Sequence, residues 1–165
     1  MAILARCVGA ALLVSHGLRK DIELVTLHLG PPTAPKAVRF ESARLMHANP
    51  DERSCALLLE KALGAATTGP VWQPSTPGIS VAVLPFEELL DEWRDPIVIL
   101  DEAGEDIASA MIPARATFVL GDHLGFTAEE ASLLKKRSAA TVSLGPVSLQ
   151  ADQCLTVLHN HLDRR

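Results

Sequence analysis

The chain holds three cysteines, Cys7, Cys55 and Cys154, and no Cys-x-x-Cys pair. That spacing excludes a zinc ribbon and a dithiol redox motif. An odd, scattered set of thiols suits a reducing compartment. Neither Gly-x-Gly-x-x-Gly nor Gly-x-x-x-x-Gly-Lys-Ser/Thr occurs, so the ordinary dinucleotide fingerprint and the P-loop are both absent. Cys7–Val14 is apolar and follows Arg6, yet it is too short to cross a membrane. His16–Asp21 beyond it offers no convincing cleavage site for a signal peptide. A soluble, cytoplasmic protein is expected. There is no nucleophile elbow and no Cys–His arrangement suited to covalent catalysis. His28, His47, His159 and His161 lack metal-ligand spacing, and His159 and His161, two apart, point to different helix faces. No metal is expected. Charge of one sign is also scarce: 15 Lys and Arg against 20 Asp and Glu leave a net −5. This mixture argues against disorder and against a whole-surface nucleic-acid binder, but leaves room for one local basic patch.

What is present is apolar and punctuated. The 165 residues are 48% hydrophobic, enough for the core of one domain spanning 1–165. Apolar spacing predicts a helix over Ile3–Leu18 that stops at Gly17. Strands are predicted at Ile22–Leu29, Ala37–Phe40 and Ile79–Leu84. Asn49-Pro50-Asp51-Glu52 reads as a helix start, leading through Ser54–Leu63 to a stop at Gly64. Gly64–Gly78, rich in Thr, Gly and Pro, reads as a surface loop. Phe86–Trp93, Thr127–Arg137 and Leu149–Arg165 read as helices.

Three short apolar strands remain. Ile97–Leu100 runs into Asp101-Glu102-Ala103-Gly104, Phe118–Leu120 into Gly121-Asp122, and Val142–Leu144 into Gly145-Pro146. Uniformly apolar strands alternating with helices predict a mainly parallel sheet covered on both faces. Ligands bind such sheets outside the carboxyl ends of the strands, where these turns fall. Few basic residues flank them, so a zwitterionic, adenosine-bearing ligand fits better than a triphosphate. Gly121 and Gly145 read as tight turns or as points of close backbone approach to a ligand. Asp122 and His123 read as a turn former and a surface residue, or as a base and its partner. Asp101-Glu102 reads as a solvated turn or a contact to a ribose hydroxyl. Arg19 and Lys20 close the first predicted helix, where cations suit the dipole, or contact phosphate; Arg39, Arg44 and Arg53 extend that basic stripe. Cys154, inside an apolar helix, reads as a packed thiol.

Several segments together resemble one family. LGDHLGF (Leu120–Phe126), SLGPVSLQADQC (Ser143–Cys154) and HNHLD (His159–Asp163) are similar to the archaeal tRNA pseudouridine N1-methyltransferases, of the SPOUT superfamily. RCVGAALLVSHGLRKD (Arg6–Asp21), LGPPTAPKAVRF (Leu29–Phe40) and NPDERSCALLLEKAL (Asn49–Leu63) fit the same pattern, in order. The resemblance implies an α/β fold with a C-terminal trefoil knot, a homodimer, and S-adenosyl-L-methionine as cofactor. Carried over by position, the cofactor contacts are Leu100, Gly121, Leu144, Gly145, Pro146, Val147, Ser148, Leu149 and Cys154. The implied reaction is methyl transfer to N1 of pseudouridine in the T-loop of tRNA, with Asp122 and His123 as candidates for handling the N1 proton. Arg19, Lys20 and Arg53 are the candidates for RNA contact. Family members usually carry a further strand and an arm before the first helix. Met1 stands almost at that helix here, so the sequence is truncated, its start is misassigned, or this member lost the strand; a lost strand would expose a sheet edge and remove substrate contacts. Three other readings stay open: an rRNA pseudouridine N1-methyltransferase, a non-catalytic RNA-binding factor that keeps the pocket, and an ordinary doubly wound nucleotide-binding domain.

Overall fold

Helix α1 (Ala2–Leu12) buries Ala5, Cys7, Val8, Ala11 and Leu12 along one side, as its apolar spacing requires. In this computed structural model, which describes residues 1–32, 34–46, 48–67 and 69–165, the chain divides into two compact units, Met1–Phe86 and Glu87–Arg165.

In the first unit α1 ends six residues before the predicted Leu18. Leu13 turns extended, at φ −99° and ψ 143°. Strands β1 (Leu13–Val14) and β2 (Gly17–Leu18) then form a hairpin, with Leu13 opposite Leu18 and Val14 opposite Gly17. Arg19 N–H donates to the Leu12 carbonyl at 2.9 Å and closes it. Ser15, His16 and Gly17 are poor helix formers. Apolar periodicity alone could not separate this short strand from one more helical turn.

Beyond it lie β3 (Glu23–His28), β4 (Lys36–Glu41), β5 (Gln73–Thr76) and β6 (Ile79–Val83), ordered β3-β4-β6-β5 with every pair antiparallel. The expectation of a mainly parallel sheet is therefore corrected for this unit. Apolar runs announce strands but not their direction. β5 also corrects the loop expected over Gly64–Gly78. It carries no apolar alternation and holds Pro74, which an edge strand tolerates because an outward N–H is not missed. Gly78 turns the chain between β5 and β6 at φ +80°, and a Cβ there would stand 2.4 Å from the Leu45 nitrogen.

Helix α2 (Glu52–Gly64) begins and ends where its signals predict. The Asp51 carboxylate caps it by accepting from Ser54 N–H at 2.8 Å. Its last carbonyls are met from the sheet. Lys36 Nζ donates to the Leu63 and Ala65 carbonyls, each at 2.6 Å. Lys36 is 4% exposed, and burial lowers its pKa. Val38 and Phe40 share the Lys36 face of β4 and are fully buried with Leu59 of α2.

Helix α3 (Phe86–Glu92) spans the boundary between the units. The second unit carries β7 (Ile97–Asp106), β8 (Thr117–Val119) and β9 (Ser138–Ser143) in the order β8-β7-β9, all parallel. Here the parallel expectation holds. Helix α4 (Ala128–Arg137) opens on a capping box: Glu130 N–H donates to Thr127 Oγ1 at 3.2 Å, and Thr127 N–H donates to Glu130 Oε2 at 2.8 Å. Arg137 at its end pairs with Asp91 and, at 3.8 Å, with Glu87. Helix α5 (Ala151–Leu162) lays Leu158 into a core with Val98, Val142, Ile107 and Ile112.

Strand β7 outruns its predicted end at Leu100. Leu100 stands opposite Val142; the chain then bulges and rejoins the ladder with Glu105 opposite Val142 and Asp106 opposite Ser143. Gly104 makes this possible, since a Cβ there would lie 2.6 Å from Val142 backbone atoms. The segment Asp101–Gly104, read from sequence as a turn, is thus part of the strand.

Candidate active site

Parallel register decides what meets in the second unit. Ile99 stands beside Val119, and Leu100 beside Val142. The first stretch of β7, before its bulge, therefore ends level with the carboxyl ends of β8 and β9, at one edge. That edge gathers Leu100 on β7, Gly121 two residues past β8, and Leu144–Leu149 directly after β9. Cys154 joins them from the first turns of α5, its thiol donating to the Leu149 carbonyl at 3.8 Å. All nine residues expected at the cofactor lie in this one unit.

The loop Leu144–Leu149 is shaped by its own backbone. Gly145 adopts φ +136°, which side-chain-bearing residues rarely do, and no atom outside its neighbours comes within 4 Å of where a Cβ would sit. Gly145 N–H donates to Ser143 Oγ at 3.3 Å, and that hydroxyl donates to the Gly145 carbonyl at 3.1 Å. Pro146, Val147 and Ser148 are exposed, while Leu144 packs on the core. The loop thus offers open space and exposed backbone beside it. Gly121 differs. A Cβ there would meet the Gly125 backbone at 3.0 Å, so its glycine is needed for the turn that follows.

That turn holds Asp122 and His123, both exposed. The Asp122 carboxylate accepts from Leu124 N–H at 2.8 Å, and its carbonyl from Gly125 N–H at 3.0 Å. Asp122 therefore holds the turn, and His123 stands at its tip.

The charge at this edge is negative. Burial raises the Cys154 thiol pKa, a backbone hydrogen bond opposes it, and the carboxylates of Asp152 and then Glu102 add smaller upward effects. Glu102 and Asp152 thus act electrostatically on the same spot from β7 and α5. No signal marked Asp152 beyond its place as an acid in a first helical turn. Asp101 accepts from Ala103 N–H at 2.8 Å within the bulge of β7. An edge of acids repels phosphate and suits a ligand bearing positive charge, as a sulfonium and an ammonium do.

The residues expected at RNA lie in the first unit. Arg19 follows the hairpin, Lys20 is exposed beside it, and Arg53 is exposed in the first turn of α2. Arg39 stacks on the Trp72 ring at 4.2 Å and donates to Ser80 Oγ, and Arg44 pairs with Glu41 at 3.2 Å. Those two are engaged within the sheet and its margin. Two cavities, of about 250 and 430 Å³, also belong to this unit, and no expected cofactor residue lines either. Among the described residues no three His, Cys, Asp or Glu gather as metal ligands, and no helix is long and apolar enough to cross a membrane. His47 lies outside the described residues.

A family model described as "Putative SAM-dependent RNA methyltransferase" matches residues 1–165. The chain belongs to this family. More particularly, it is 42% identical over 168 residues to a tRNA (pseudouridine(54)-N(1))-methyltransferase of Methanococcoides burtonii, covering 99% of this chain and 83% of that one. It is 46% identical over 163 residues to the protein of the same name from Halobacterium salinarum, covering 98% and 81%. The crystal structure of Archaeoglobus fulgidus Nep1 bound to S-adenosylhomocysteine shares the fold, with a TM-score of 0.57 and 16% identity over 98% of this chain and 69% of that one.

Proposed function

We propose that this chain transfers a methyl group from S-adenosyl-L-methionine to N1 of pseudouridine in the T-loop of tRNA. The observation that carries this reading is near-full-length identity, 42% and 46%, to relatives named for that reaction at pseudouridine 54. The strand-end edge of the second unit fits the cofactor. Gly145 leaves space, the Leu144–Leu149 loop presents backbone groups, and Glu102 and Asp152 favour positive charge beside Cys154.

When bound, the cofactor supplies an electrophilic methyl on sulfur. The protein's own contribution is placement and proton handling. Leu100, Gly121, the Leu144–Leu149 loop and Cys154 hold one reactant at the strand ends. Holding both reactants in line lowers the entropic part of the barrier. Pseudouridine N1 carries a proton that must leave as the new N–C bond forms and the S–C bond breaks. His123 receives it, and Asp122 fixes the turn that presents the imidazole. Arg19, Lys20 and Arg53 hold RNA phosphates.

The same reading makes 1–165 a single cytoplasmic SPOUT domain with a C-terminal trefoil knot, working as a homodimer. The match of the family model across the whole chain and the likeness to the Nep1 fold support the single domain and its fold.

One assay tests the central claim. Methyl transfer is expected onto a T-arm stem-loop bearing pseudouridine, not onto its uridine counterpart or an rRNA hairpin. Preference for the rRNA hairpin would replace the substrate. Cofactor binding without any transfer would make the chain an RNA-binding factor, and no binding of S-adenosylhomocysteine would overturn the reading.

A further inference from the structure

The hairpin that replaces the end of the predicted first helix borders a cleft of about 430 Å³. That volume lies within the range of small-molecule sites, roughly 300–1,000 Å³. Leu13, Val14, Leu18 and Pro50 give it an apolar floor, and Ser15, His16 and Lys20 give it polar groups. The chain as a whole carries more acids than bases. Yet Lys20 and His16 are the only ionisable residues, among those described, that line this cleft; Asp21 follows Lys20 but does not line it.

The neighbouring cleft, of about 250 Å³, shares Leu13 and Pro50 and so continues the same floor toward Arg6. Its charge is different, because Asp51 and Glu52 also line it. A polyanion is therefore favoured at the hairpin end. The hairpin itself is held by its ladder and by the bond from Arg19 N–H to the Leu12 carbonyl, so the cleft is set by backbone hydrogen bonds.

We propose that this cleft is a subsite for one unstacked nucleotide of a single-stranded RNA segment. The base lies against the apolar floor and the His16 ring, and the phosphate pairs with Lys20. Unstacked bases are commonly held on apolar and aromatic or imidazole surfaces with a cation at the backbone. The proposal rests on the RNA-methyltransferase reading and adds to it a place for a nucleotide other than the one methylated. His16, Ser15 and the hairpin floor become RNA contacts, and Lys20 gains a defined phosphate.

The test is binding of a labelled T-arm stem-loop to the full chain at fixed salt, by fluorescence anisotropy. His16 and Lys20 are exposed, so His16→Ala and Lys20→Ala remove side chains without opening the core. Lys61→Ala, exposed near the end of α2, removes the same charge elsewhere in the unit. Each cleft variant is expected to weaken binding about 5- to 10-fold, and Lys61→Ala less than about twofold. Lys20→Ala reduces the salt slope by about one, while His16→Ala leaves it unchanged. Crosslinks from 4-thiouridine RNA are expected within Leu13–Lys20.

Equal effects of Lys20→Ala and Lys61→Ala, with none from His16→Ala, would overturn the subsite. So would adenosine monophosphate binding as tightly as the RNA, which would make the occupant a free nucleotide. If the wild type methylates pseudouridine RNA while the cleft variants bind it normally, only the subsite falls. If the wild type binds no RNA at all, both readings fall together.

Discussion

The two units use opposite means to present chemistry. In the second, the candidate site is built from backbone: parallel strand ends, a glycine at φ +136°, and a strand bent around Gly104. In the first, the candidate contacts are side chains on an antiparallel scaffold, with Lys20 and His16 on a hairpin. A cofactor of fixed shape is served by rigid strand ends. A long, flexible polyanion is served by dispersed cations.

The largest test of that contrast is Gly104→Ala. A Cβ forced against the Val142 backbone is expected to cost about 3 kcal/mol, read by urea denaturation of the full chain. A loss below about 1 kcal/mol would mean that the β7 detour is soft and that backbone does not set this edge. Next comes Gly145→Val. Since nothing crowds its Cβ position, the penalty comes from φ +136° rather than from a clash. S-adenosylhomocysteine affinity should fall about 10-fold, or 1.4 kcal/mol, and the melting temperature should fall as well, because the fold bears the strain with or without ligand. Unchanged affinity would remove the loop from the cofactor site.

A smaller pair compares the units directly. Asp51→Ala in the first and Thr127→Ala in the second each remove a helix cap and should each cost about 1 kcal/mol in denaturant. Unequal losses would show that one cap is held mainly by tertiary packing. The smallest effect is a pH dependence confined to the first unit. Burial lowers the His28 pKa below its ordinary 6.5, and the amino terminus and Lys36 lower it further. The fold therefore prefers neutral His28. Its contribution is complete above pH 6.5 and is lost as pH falls from there toward the folded value. Melting curves between pH 7.5 and 5 should fall less steeply for His28→Gln than for wild type. Identical slopes would assign the acid sensitivity to other groups.

Much of this was legible residue by residue. Asn49-Pro50-Asp51-Glu52 announced a helix start, because a proline and acids suit the first turn and are written in adjacent positions. Gly64 announced its end. The strand-end turns at Gly121 and Gly145 were readable as turns. What escaped depends on partners distant in the chain. Gln73–Thr76 is a strand only because Ile79–Val83 lies beside it, and Glu105-Asp106 only because β9 does. Glu102 and Asp152 converge on Cys154 through a register that no local pattern records. Strand direction escaped too, so the antiparallel sheet of the first unit looked parallel.

The detour of β7 also writes a rule of spelling. The strand leaves Val142 after Leu100 and returns to the same residue at Glu105, so four letters, Asp-Glu-Ala-Gly, must fit one gap. Adding or deleting one would turn Glu105 and Asp106 to opposite faces and move the glycine off its only permitted seat. Geometry thus fixes both the count of this segment and the place of its glycine.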